Sequence, residues 1–174
     1  MAILGVDDFK SKLVGGGARS NLFKVTLNFP GYASGNVELT SFMCKAASFP
    51  ASNVATVTVP FRGRQLQIAG DRTFEPWTVT VINDTGFEVR NAFERWSNGI
   101  NSHAANTGLV NPSDYQADAI IEQLDKAGNV TKKYDFRGIW PSAIAAIEVA
   151  YDAEGIEEFT VELQVQYWES DTTS

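Results

Sequence analysis

From Glu158 to Tyr167, polar and apolar residues alternate without a break. Phe159, Val161, Leu163, Val165 and Tyr167 fall on one side, and Glu158, Thr160, Glu162, Gln164 and Gln166 on the other. Successive side chains of an extended chain point to opposite faces, so this run requires one buried face and one wet face. The same period recurs in Phe23, Val25, Leu27 and Phe29, set against Lys24, Thr26 and Asn28 and ended by Pro30-Gly31. Trp77, Val79 and Val81 repeat it against Thr78 and Thr80. A chain with this many one-sided segments is expected to bury their apolar faces in a sandwich or a partly closed barrel.

Further extended segments fill the gaps. Leu39 to Phe49 reads as a second strand region. Val57, Val59 and Phe61 read as a half-buried strand, Arg62-Gly63 as a tight turn, and Leu66 and Ile68 as the return. Residues 55–69 are therefore expected to form an extended β-hairpin, which Ala69-Gly70-Asp71-Arg72 breaks. Tyr115 to Leu124, with Gln116, Asp118 and Glu122 on one side, pairs through the turn Lys126-Ala127-Gly128-Asn129 with Val130, Lys132, Tyr134 and Phe136. Pro141 is expected to interrupt pairing, after which Ile147, Val149 and Tyr151 lead to the acidic turn Asp152-Ala153-Glu154-Gly155. One segment has the helical period instead: Val89, Phe93, Trp96 and Ile100 share a face, and Thr85 and Glu88 have the spacing of a capping box. The expected fold is mainly β, an antiparallel β-sandwich or partly closed barrel with one principal α-helix at about residues 86–99.

At 174 residues the chain suits a single domain. The expected division is an N-terminal arm over 1–20, one β domain over 21–169 and a C-terminal tail over 170–174. In the arm, Val6, Phe9 and Leu13 suit a short amphipathic helix ended by Gly15-Gly16-Gly17. No lysine followed by serine or threonine trails those glycines, so they are a joint rather than a phosphate cradle. The start, Met1 to Asp8, has no basic stretch and does not read as a secretory signal. No apolar run approaches the ~20 residues of a membrane-spanning helix.

Catalytic chemistry finds little support. His103 is the one histidine and lies in a polar, turn-rich stretch, and Cys44 is the one cysteine. A protein zinc site needs about four ligands at recognisable spacing, so no metal or other cofactor is expected. Cys44 reads as a small buried thiol in a strand-like run. The acids lie in turns or on wet strand faces, which suits solvation better than paired acid catalysis. The net charge of −7 argues against a surface that grips phosphates.

Gly63-Arg64, Ala69 to Phe74, Trp77 to Val81 and Asn83-Asp84 form one block of a wider resemblance. Gly138-Ile139-Trp140-Pro141, Phe159-Thr160-Val161 and Tyr167-Trp168-Glu169 form a second, with Asn21-Leu22-Phe23 near the start. Together they resemble the tail tube proteins of contractile-tailed bacteriophages. The resemblance implies a structural virion protein, made in the host cytoplasm, whose hexameric rings stack into an inner tube for DNA ejection. It implies self-association and partners among tail sheath, baseplate and tape-measure proteins, with DNA passing through unbound and no membrane.

On that reading, Arg62, Arg64, Asp71 and Arg72 are candidates for contacts between subunits, the arginines pairing with a neighbour's carboxylates. The competing reading is an internal bridge from Arg72 to Asp71 or Glu75. An acidic lumen, or one without basic patches, would hold DNA least. Asp118, Glu122, Glu162, Gln164 and Gln166 are the candidates to face it. Two other functions compete: a tube or tube-initiating baseplate subunit of a related injection or secretion machine, and a small hydrolase or sugar-binding β-sandwich.

Overall fold

The computed structural model describes residues 5–173; the first four residues of the expected arm and segment start, and Ser174 of the expected tail, lie outside that range. Among the described residues, nine strands and four α-helices follow in order. Helix α1 (Val6–Lys12) precedes β1 (Phe23–Leu27), α2 (Val37–Met43) and β2 (Cys44–Ala47). Next come the hairpin strands β3 (Asn53–Phe61) and β4 (Arg64–Thr73), then β5 (Trp77–Ile82) and α3 (Glu88–Ile100). The chain ends with α4 (Pro112–Tyr115), β6 (Ala117–Leu124), β7 (Val130–Ile144), β8 (Glu158–Gln164) and β9 (Tyr167–Ser170). The fold is mainly β, and every strand pairing is antiparallel.

Seven strands form one sheet in the order β1-β6-β7-β8-β5-β2, with β9 also on β7. Long strand β7 belongs to two layers. Its first part lies between β6 and β9, and its second part pairs with β8. The change occurs at Gly138, whose φ of 63° is a left-handed conformation that glycine adopts without strain. Ala117 faces Ile139 while Ala119 faces Phe136, so an extra residue of β7 bulges there and bends the strand. The sheet does not close into a barrel; β1 and β2 end its path.

The core lies between the two layers and under α3. Trp77, Val79 and Val81 of β5, Phe159, Val161 and Leu163 of β8, Val25 and Leu27 of β1, and Ile121 and Phe136 are all buried in one cluster. From α3, Val89, Phe93 and Trp96 join it. Phe29 meets Phe93 and Trp96 edge-on, with centroids at 5.2 and 5.6 Å, and Phe93 meets Phe159 at 6.3 Å. The indole N–H of Trp96 donates to the Tyr115 carbonyl at 2.6 Å, so burial leaves that polar atom paired.

Several expectations need correction. The Thr85–Glu88 capping box does not form. Phe87 precedes the helix with φ 54°, and Asp84 Oδ2 accepts the Glu88 backbone N–H at 3.3 Å instead. The helix itself is where it was expected, at Glu88–Ile100 against about 86–99. Leu39 to Phe49 is not one strand: its first half is helix α2. Asn36 Oδ1 caps α2 by accepting the Leu39 N–H at 3.0 Å, and Leu39 and Met43, four apart, reach the core together. Cys44 therefore stands at a helix–strand junction.

Pro141 does not end β7. It lies in the part paired only to β8 beside a register shift, where a missing N–H is tolerated. Residues 145–157 form an exposed loop rather than a strand, with Val149 and Tyr151 facing solvent. The final alternation is two strands, not one. β8 stops at Gln164, and β9 crosses to the other layer to pair with β7.

Candidate assembly surfaces

The hairpin β3–β4 forms a two-stranded sheet of its own. It is longer than expected, because Ala69 to Arg72 continue β4 instead of breaking it. A bulge absorbs the irregularity: Val54 faces Arg72 while Thr56 faces Ala69. The turn has positive φ at both central residues, 46° at Arg62 and 80° at Gly63, the twist that suits a two-residue hairpin loop.

The register places Val57 opposite Ile68 and Val59 opposite Leu66, with Phe61 next along the same face. That face is apolar. It is not half-buried as expected: every residue of β3 and β4 except Asn53 and Gly70 is exposed, Phe61 to 66%. The root of the hairpin is held by Asn53 Nδ2 donating to Glu75 Oε1 at 2.7 Å, and by Trp168 Nε1 donating to the Ala51 carbonyl at 3.3 Å. A bare two-stranded hairpin is marginal in water, so one of this length with an uncovered apolar face suits a contact surface.

Charge on the hairpin is unpaired. Among the described residues, Arg62, Arg64, Asp71 and Arg72 make no ion pair. The internal bridge from Arg72 to Asp71 or Glu75 is not made. The Arg62 guanidinium instead lies 5.2 Å from the Phe61 ring centre.

The five lumen candidates fall in two places. On the β6 side, Asp118 is neutralised: it accepts from Arg137 at 2.8 Å and from the Gly138 backbone N–H at 3.2 Å. Glu122 stands between Lys24 of β1 and Lys133 of β7 in the cross-strand register. That face mixes both signs. On the other layer, Glu162 lies opposite Thr78, and Thr160 opposite Thr80. Ser142 Oγ donates to Glu162 and accepts from Gln164 Nε2 at 3.3 Å. Gln166 does not join Glu162 and Gln164, because the strand has ended; it lines a shallow hollow with Asp118, Arg137 and Glu169.

Two exposed apolar surfaces have no local signature in the sequence. One is the loop over residues 145–157, read as a strand from its alternation. The other is a groove between α2 and the edge of β1, lined by Phe23, Val37, Phe42 and Leu124 with Lys24 and Glu38. The α1 side chains Val6 and Phe9 are also exposed. His103 is exposed, and its backbone N–H donates to Asn98 Oδ1. Burial pushes the Cys44 thiol up to about 11, the opposite of an activated nucleophile. Among the described residues, no group of three or more His, Cys, Asp or Glu side chains is placed to hold a metal.

Comparison with known proteins agrees with a structural role. The model of the phage tail tube protein family matches residues 18–171. The tail tube protein gp19 of Enterobacteria phage T4 is 34% identical over 154 residues, covering 87% of this chain and 91% of that protein. The tail tube protein of Serratia phage KSP90 is 32% identical over 165 residues, covering 91% and 93%. Among solved structures, the tube-terminating cap of the anti-feeding prophage superposes with a TM-score of 0.67 at 18% identity, covering 91% of this chain and 92% of that one. The sheath–tube complex of an extracellular contractile injection system gives 0.59 at 12%, covering 92% and 96%. These two show a shared fold. With a family match across nearly the whole described chain and two phage tube proteins at about a third identity, the chain belongs to the phage tail tube protein family.

Proposed function

We propose that copies of this chain form hexameric rings that stack into the inner tube of a contractile phage tail, through which DNA leaves the virion. The observation that carries the reading is the hairpin β3–β4, which projects an apolar, arginine-bearing face that the described residues leave exposed. Sheath, baseplate and tape-measure proteins are the partners this role requires. The identity to phage tube proteins favours this reading over a related injection machine, and membership of a tube family favours it over a hydrolase.

The lumen is the outer face of β5 and β8. It presents Thr78, Thr80, Thr160, Glu162 and Gln164, and the lysine beside it, Lys45, is tied to Glu158 at 2.6 Å. The β6 face instead carries Lys24, which makes no ion pair among the described residues, beside Lys133 and Arg137, which are held by Asp135 and Asp118. DNA bears one charge per ~1.7 Å of axis, so a wall with free cations would retain it over a long tube. Negative-stain microscopy of the purified protein tests the assembly. Rings or tubes are expected from the native chain, and Phe61→Ser with Leu66→Ser should leave folded protomers. A native chain that stays monomeric at high concentration would overturn the reading.

A further inference from the structure

Resting on that reading, we infer that the hairpin β3–β4 of one copy docks on the loop over residues 145–157 of another. The two surfaces are opposite in charge and alike in apolar exposure. Between Asn53 and Thr73 there are three arginines and one aspartate. Between Ala145 and Glu158 there are five acids and no cation. Two of those acids are used internally: Glu158 pairs with Lys45, and Glu157 accepts from Asn83 Nδ2 at 3.0 Å. Glu148, Asp152 and Glu154 make no ion pair among the described residues.

The same loop exposes Tyr151 fully and Val149 and Ile156 to 77% and 79%. Val149, Ile156 and Ile147 wall a hollow of about 380 Å³, with Glu148 and Glu157 also lining it. Side chains such as Phe61 and Leu66 of a second copy would fill it while Arg62 and Arg64 meet the carboxylates. The competing groove beside α2 has weaker complementarity, since its one acid, Glu38, shares the lining with Lys24. Charge matching selects the loop, because burying a guanidinium beside a lysine costs free energy, whereas a carboxylate offers it paired hydrogen bonds. The two surfaces are different parts of the chain, so the contact is heterologous and repeats from copy to copy into a ring or a stack.

The test reverses charge on each side of the full-length chain. One protein carries Arg62→Glu and Arg64→Glu, the other Glu148→Lys and Glu154→Lys. All four residues are exposed, and circular dichroism checks that each protein is folded. Each alone should form at least tenfold fewer tubes than the native chain. Mixed one to one they should recover, because each then supplies the hairpin or loop that suits the other. If the hairpin variant fails while the loop variant assembles normally, the hairpin serves assembly but docks elsewhere, and this pairing is wrong. A mixture no better than its components also overturns it. If the native chain forms neither ring nor tube, the tube reading fails as well. As an independent measure, Phe61→Cys and Tyr151→Cys in a Cys44→Ser background should give a disulfide between copies under mild oxidation; its absence in assembled tubes counts against the contact.

Discussion

The indole of Trp77 stacks on the ring of Phe136 with centroids 4.3 Å apart and planes 18° from parallel. Trp77 belongs to β5 and Phe136 to the first part of β7, so this stack ties the two layers of the sheet together. The Trp77 N–H also donates to the Ser48 carbonyl at 2.8 Å. Trp77→Ala should cost about 3–5 kcal/mol, through lost burial and the cavity it leaves. Trp77→Phe keeps much of the ring but leaves the Ser48 carbonyl without its donor, and should cost clearly less. Denaturant unfolding of the isolated protomer measures both.

Two glycines with positive φ should respond differently to a methyl group. At Gly63 a Cβ would meet nothing within 4 Å, so Gly63→Ala should cost only the left-handed strain, about 1 kcal/mol. At Gly138 a Cβ would lie 2.6 Å from Gln166 Cγ, and Gly138→Ala should cost about 2 kcal/mol as that side chain gives way. Equal losses would mean that the bend of β7 tolerates repacking.

The turn after β6 should weaken in acid. Asp125 accepts the backbone N–H groups of Ala127 and Asn129, each at 2.8 Å, and the Asn129 side-chain amide at 3.1 Å. The bonds from Asn129 are the main cause holding its carboxyl below the usual 3.8. With a lowered folded pKa, the contribution is complete above 3.8 and is lost as pH falls through the folded value. The stability gap between the native chain and Asp125→Asn should therefore narrow below pH 4. Thermal melts between pH 6 and about pH 2 follow it.

Cys44 should be a slow thiol. Its ordinary value of 9.0 is pushed up to about 11 by burial, so the thiolate is scarce at neutral pH. Alkylation of the folded protomer at pH 8 should be far slower than in denaturant. Because the folded value is raised, the protein also loses stability as pH rises from 9 toward 11, where the unfolded thiol ionises first. Equal alkylation rates with and without denaturant would refute the burial.

Charge on the proposed lumen should govern DNA movement. Glu162→Lys in virions that still assemble should slow DNA release, and most at low salt, because screening reaches only ~8 Å at physiological ionic strength. Glu122→Lys, on the mixed-sign β6 face, should change release far less. Release at the native rate from Glu162→Lys virions across a range of salt would remove β8 from the lumen.

Residue order alone records which segments have one wet and one dry face. Strands β1 and β5, the first seven residues of the final alternation and the stripe of α3 follow directly from burial, which a period of two or 3.6 records locally. The turns at Arg62-Gly63 and after Asp125 were legible for the same reason, since the residues that make them adjoin in the chain. Where alternation changes partners follows from long-range packing instead. Phe159 to Tyr167 reads as one strand, yet it splits after Gln164 because β9 pairs with the other layer, and this carries Gln166 away from Glu162. Val57, Val59 and Phe61 have the pattern of a half-buried strand, but the described residues leave them exposed; periodicity reports that a face is apolar, not which molecule buries it. Residues 37–43 became α2 because a cap at Asn36 and packing of Leu39 and Met43 outweighed a local strand preference. Pairing, bulges and coverage depend on residues distant in the chain, and so only the assembled fold settles them.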